Sequence, residues 1–169
     1  MVESTLALIV ILLVFLALFN LADLIRAKLL VENAAVKCAR ARAVGYNDFM
    51  LRKIARLATM PAAGRCLTPS DSGIGTLSRG ERYSRIGDYL MSGYEEQADA
   101  ILDFEYWQGD RTSISATQGQ SPASATVYQR RPKLFDFGVL VGTARADSED
   151  TADIYATSTV EAHYPDYLQ

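Results

Sequence analysis

Residues 4–25 read STLALIVILLVFLALFNLADLI, and this stretch decides the fold. From Leu6 to Phe19 every residue is apolar, with no Gly or Pro to break a helix. A bilayer core is roughly 30 Å thick and takes about 20 predominantly apolar helical residues. The stretch meets that length if Asn20 and Asp23 lie near the outer edge. The helical pattern continues beyond it. Residues 26–44, RAKLLVENAAVKCARARAV, are rich in strong helix formers, and the first breaker is Gly45. One helix from about Ser4 to Val44 is predicted, roughly 60 Å long at about 1.5 Å per residue. Its first half is apolar all round and its second half amphipathic.

In the second half, Ala27, Val31, Ala34, Ala35, Cys38 and Ala41 recur at helical spacing and form one small-residue stripe. Arg26, Glu32, Lys37 and Arg40 lie mostly off it. The stripe predicts a face that another element approaches closely, with Cys38 pointing into the domain. The chain therefore divides into an N-terminal helix, 1–45, and a globular part, 46–169, large enough for its own core.

Beyond Gly45, Asn47 or Asp48 can cap a helix over about Asp48 to Thr59, which Pro61 stops. Its apolar side is Phe49, Met50, Ile54 and Leu57, so Arg52, Lys53 and Arg56 are expected to face out. Residues 61–80, with Pro, Gly and Ser/Thr, read as a long loop holding Cys66. Short helices follow over Glu81–Leu90 and Tyr94–Phe104. Strand patterning takes over at Thr112–Thr117, Ala123–Arg130 and Asp153–Tyr164, while Phe135–Thr143 reads as strand or packed loop. Helices first and strands later imply α+β, with an antiparallel sheet covering the long helix.

A net charge of −3, with no basic patch interleaved with aromatics, gives no ground for a nucleic-acid partner. Catalytic constellations are missing: there is one histidine, His163, on the last predicted strand, and no P-loop or nucleophile elbow. Gly73 and Gly75 lack the third glycine of a dinucleotide loop. The acidic run Asp147, Glu149, Asp150 and nearby Asp153 lacks the glycine and spacing of a calcium loop and reads as a solvated turn. Neither an enzyme nor a cofactor or metal is expected. The nine tyrosines read as core or interface residues.

Two cysteines beside an exported-looking N-terminus permit one disulfide, Cys38–Cys66, closing a loop of about 28 residues and contributing roughly 3 kcal/mol. That bridge is the expectation for the exported protein; the competing reading is that Cys38 is a buried small residue. The apolar run is read as retained rather than as a signal peptide, because only Glu3 precedes it and no A-x-A site follows. Arg26, Lys28, Lys37, Arg40 and Arg42 all follow the run, so the positive-inside rule alone places the domain in the cytoplasm. A basic leader, cleaved off, would reverse that orientation.

Met1-Val2-Glu3 running into LALIVILLVFLALFNLADLIRAKLL resembles the mature N-terminus of type IV pilin-like proteins, most of all the TadE-like pseudopilins of Tad-type pili. VENAAVKCARARAVGYNDFMLRKIARLATMPAAG is similar to the helix–turn–helix that follows there, and VEAHYPDYL to the C-terminal strand and tail. The acidic residue stands at position 3 rather than the family's fifth position, and no Gly-containing leader precedes it. The resemblance implies a structural subunit, held in the inner membrane with its domain outside and then extracted into an extracellular filament. Its implied partners are copies of itself and the pilus assembly machinery, with the membrane before assembly. Rods would pack through Glu3, Leu6, Leu13, Phe15 and Phe19, with Glu3 neutralising an amine of a neighbour. The alternative is a single-pass membrane-anchored component of a pilus assembly or secretion system that binds a protein partner.

Overall fold

The computed structural model describes residues 2–68, 79–108, 111–117, 122–132 and 151–161. His163, the acidic run at 147–150, the segment 135–143, Gly73, Gly75, Tyr164 and Tyr167 lie outside them.

Helix α1, Val2–Ala43, is one unbroken helix of 42 residues. Gly45 ends it in the left-handed region at φ +97°. The Gly45 N–H donates to Arg42 O at 2.9 Å and the Tyr46 N–H to Ala41 O at 3.1 Å, which satisfies carbonyls the helix end leaves open. Asn47 then accepts from the Met50 N–H at 2.9 Å and caps α2, Asp48–Thr59, as its short polar side chain predicts. A 3-10 turn, Met60–Ala62, leads to strand β1, Cys66–Thr68. Helices α3, Arg79–Met91, and α4, Glu95–Ile101, precede β2, Asp103–Phe104. Strands β3, Thr112–Ala116, β4, Ala123–Pro132, and β5, Thr151–Val160, form an antiparallel sheet in the order β3-β4-β5. The protein is α+β, with a long N-terminal apolar helix followed by short helices and antiparallel sheets.

The alternation of β4 is clean: Ala123, Ala125, Val127 and Gln129 turn inward while Ser124, Thr126, Tyr128 and Arg130 turn outward. Val127 pairs with Ile114 on β3 and Ala156 on β5. This inner face meets the small-residue stripe of α1, whose members Ala27, Val31, Ala34, Ala35, Cys38 and Ala41 are all buried. Leu51 and Ala55 of α2 complete the same core. Methyl-sized side chains let helix and sheet backbones come close, which is why the stripe is read correctly from spacing alone.

A second core of Ala63, Tyr89, Ala98, Leu102, Phe104 and Trp107 forms beneath α3 and α4. Trp107 meets Phe104 edge-on at 4.6 Å between ring centroids and Tyr89 at 5.7 Å. Gly64, at φ +78°, lies where a Cβ would come within 2.9 Å of the Tyr106 ring, so the chain turns there only without a side chain.

Helix α2 lies between the two cores, and this corrects the expectation that Lys53 and Arg56 face out, while the Arg52 side chain stays 42% exposed. Lys53 is fully buried and donates from Nζ to Leu90 O at 3.1 Å and Ser92 O at 2.6 Å, at the end of α3. Its ammonium lies 4.3 Å from the centre of the Phe49 ring. Arg56 is buried against Trp107 and pairs with Asp99 at 2.5 Å, while Arg52 pairs with Glu95. The α3–α4 pair supplies carbonyls and carboxylates that convert a basic outer face into an interior one.

The expected disulfide is also corrected: Cys38 and Cys66 are not bonded to each other. Cys38 is sealed in the first core, its thiol directed at Leu51 O 3.6 Å away. Cys66 belongs to β1, opposite Phe104 on β2, and packs on the second core. Short strand pairing, rather than a loop returning along α1, takes residues 66–68, and the two thiols belong to different cores.

Candidate functional site

The unusual surface is the front of α1. Leu6, Phe15 and Phe19 are 61%, 66% and 61% exposed, and their large apolar neighbours from Leu8 to Leu21 are exposed with them; Leu13 is half-buried. The helix is long and apolar enough to cross a membrane by length and composition. At about 100° per residue, Leu6 and Leu13 lie on the side that continues into the buried stripe, Phe15 faces away from it and Phe19 lies at its flank. The residues singled out from sequence thus surround the rod instead of forming one patch. An apolar surface on all sides calls for cover on all sides, by lipid or by other helices. Glu3 lies in the first turn, where the free N–H groups and the helix dipole favour a carboxylate, and it is the only charge before Asp23.

The boundary between the bare and covered halves is marked by charge. Arg131, at the end of β4, is mostly buried; its Nη1 lies 3.2 Å from Asp23 Oδ2, a charge contact without hydrogen-bond alignment. The same guanidinium stacks over Tyr106 at 5.5 Å. Burial pushes the Tyr106 phenol up, with Glu105 adding to it. Lys28, one turn on from Asp23, donates to Tyr155 O at 2.8 Å on β5. At the far end Arg42 donates from Nε to Thr117 O at 3.1 Å and from Nη1 to Tyr46 O at 2.9 Å, and pairs with Asp48 at 3.1 Å. The domain is therefore fastened to α1 by polar groups at both ends of the contact and by apolar packing between them. No spacing rule signals Arg131: it follows an alternating strand as one more basic residue, and only the fold brings it to Asp23, more than a hundred positions earlier.

An open groove of about 470 Å³ runs between α1 and β5 at this boundary, lined by Leu24, Ile25, Leu29, Ala152, Ile154 and Tyr155, with Lys28, Glu32 and Asp153 at its rim. Among the described residues no group of three or more His, Cys, Asp or Glu is placed to hold a metal ion. The chemistry available at this site is apolar association bounded by charge. Comparison with protein-family models, with curated proteins and with solved structures found no match to this chain.

Proposed function

We propose that this protein is a non-enzymatic structural subunit, a pilin or pseudopilin, of an extracellular type IV or Tad-like pilus filament. One observation carries the reading: a single unbroken helix is bare and apolar in its first half and forms the centre of a folded domain in its second. Such a rod is held in the inner membrane before assembly and is covered by the rods of other copies afterwards. Removing it from lipid without a replacement would expose it to water at about 25 cal/mol per Å² of apolar surface. On this reading the domain, attached along the second half of the rod, lies on the outside of the bundle. Partners on this reading are copies of the chain and the assembly machinery of the inner membrane.

A second reading, a single-pass anchor whose domain binds a protein partner, draws on the basic residues Arg26 and Lys28 just past the apolar run. Shearing the cell surface and analysing the released filaments by mass spectrometry separates the two. The filament reading expects the chain in the sheared fraction with a processed, methylated N-terminal residue. Recovery solely from the inner membrane, with an initiator formyl-Met, would overturn it in favour of the anchor.

A further inference from the structure

We propose that the end of the domain nearest the apolar half of α1 rests on the bilayer surface, and that Arg65 and Arg111 there hold the phosphate of an anionic phospholipid headgroup. The inference rests on the membrane-held α1 that both readings above share. Length sets the level. A span of roughly 30 Å that begins near Leu6 ends near Ile25, at about 1.5 Å per residue. The contact of Arg131 with Asp23 fixes the end of β4 to that level. Arg111 lies beside it, because the Arg130 N–H donates to Arg111 O at 2.7 Å. Tyr106 brings Arg65 to the same end: its ring lies under the Arg131 guanidinium on one side and against Gly64 on another.

Arg65 and Arg111 line one open pocket of about 620 Å³ with Leu67, Glu105 and Gln108. Both arginines are exposed, and among the described residues neither guanidinium has a carboxylate or hydrogen-bond partner. Arg42, Arg52, Arg56, Arg130 and Arg131, by contrast, all meet carboxylates. Glu105 is the one acid lining the pocket, and it accepts from the Arg65 N–H at 3.5 Å. Asp103 beside it is occupied by the Phe104 N–H and Gln108 Nε2, each at 2.8 Å. Two planar guanidiniums on one opening match the geometry and charge of a phosphate. Two observations choose a lipid phosphate over a free one. Arg26, exposed on α1 at the same level, adds a cation where a membrane span gives way to headgroups. Tyr155 is 63% exposed with the Lys28 ammonium 5.5 Å from its ring centre, an amphipathic ring and a cation of the kind that headgroup depth favours.

The test places an apolar photo-cross-linking amino acid at Leu67 in the full chain, reconstituted into vesicles of mixed phosphatidylglycerol and phosphatidylcholine. The expected product is a phospholipid adduct at Leu67 in which phosphatidylglycerol is enriched at least threefold over its share of the mixture. That is below the roughly fivefold that each arginine near an anionic surface supplies, because Glu105 opposes it. The same probe at Tyr46, about 30 Å farther along the rod, is expected to give no lipid adduct. Arg65→Gln combined with Arg111→Gln removes the enrichment while the chain stays inserted, and inorganic phosphate in the buffer does not compete. No adduct at Leu67, an adduct without enrichment, enrichment that survives the double variant, or competition by inorganic phosphate would each overturn the headgroup site and leave α1 in the membrane. A chain that alkaline carbonate strips from the vesicles would overturn the membrane-held α1 as well.

Discussion

Lys53 gives the sharpest test of how the domain is held together. Its ammonium is enclosed between α2 and the end of α3, where it donates to Leu90 O at 3.1 Å and Ser92 O at 2.6 Å and lies 4.3 Å from the Phe49 ring centre. Hydrogen bonds from a charged donor contribute about 1.5–3 kcal/mol each. The cation over the ring adds about 0.5–2 kcal/mol. These contributions overlap, and removing the ammonium also removes its own desolvation cost. Lys53→Met, which keeps the aliphatic stem, is therefore expected to cost about 2–4 kcal/mol, mostly from carbonyls left without a donor. Lys53→Ala loses the buried stem as well, at about 0.8 kcal/mol per methylene, and is expected to be worse. At about 2–4 °C per kcal/mol for a chain of this size, Lys53→Met lowers Tm by roughly 5–15 °C. The chain has one tryptophan, and Trp107 is buried in the core under α3, so its fluorescence in detergent-solubilised full-length protein follows the transition. Hydrogen exchange should show the loss first in α3. A Lys53→Met protein within about 0.5 kcal/mol of the parent, the range of ordinary surface substitutions, would refute the reasoning.

Glu3→Ala should reduce filament assembly more than membrane insertion, because an isolated carboxylate in an apolar bundle implies a partner; equal filament yields from mutant and parent would contradict this. Leu13→Lys should abolish insertion or assembly, since Lys at the middle of a membrane helix costs about 2.5–3.5 kcal/mol, and normal filaments carrying it would show that the rod is not the packing core. Burial pushes the Cys38 thiol from 9.0 up to about 12. A raised value means that its contribution is complete below pH 9.0 and is lost as pH rises toward about 12, so unfolding free energies measured across that window should fall less steeply in Cys38→Ala; identical slopes would count against it. Ala34→Leu, at a fully buried stripe position, should destabilise the domain by about 1–3 kcal/mol through overpacking, and an unchanged denaturation midpoint would mean that helix and sheet are less closely apposed there.

The parts of the fold legible in the sequence are those governed by local periodicity. The apolar run and the stripe from Ala27 to Ala41 belong to one helix, and their spacing carries the whole message. The alternation of β4 and the cap at Asn47 are equally local. What was not legible depends on pairs far apart in the chain. Lys53 and Arg56 have the helical position of solvent-facing residues, and only the arrival of α3 and α4 makes them interior. Cys66 has the sequence surroundings of a loop residue, because nothing near it announces Phe104 as its strand partner. For the candidate site, the rod residues were readable from composition, whereas the Asp23–Arg131 contact and the groove depend on where the ends of β4 and β5 meet α1.

The direction of the strands against α1 has a mechanical consequence. Strand β4 runs from the Arg42 end of the helix to the Asp23 end, and β5 returns beside it. A load applied along the helix axis therefore acts parallel to the plane where helix and sheet meet. In that geometry the contacts from Leu24 to Arg42 yield together by sliding, not one after another by peeling. With no covalent staple between Cys38 and Cys66, resistance comes from interlocked small side chains and from the ionic pins at each end. Pulling the sheet away at right angles would separate the same surfaces at far lower force, so the joint is strong along the rod and weak across it.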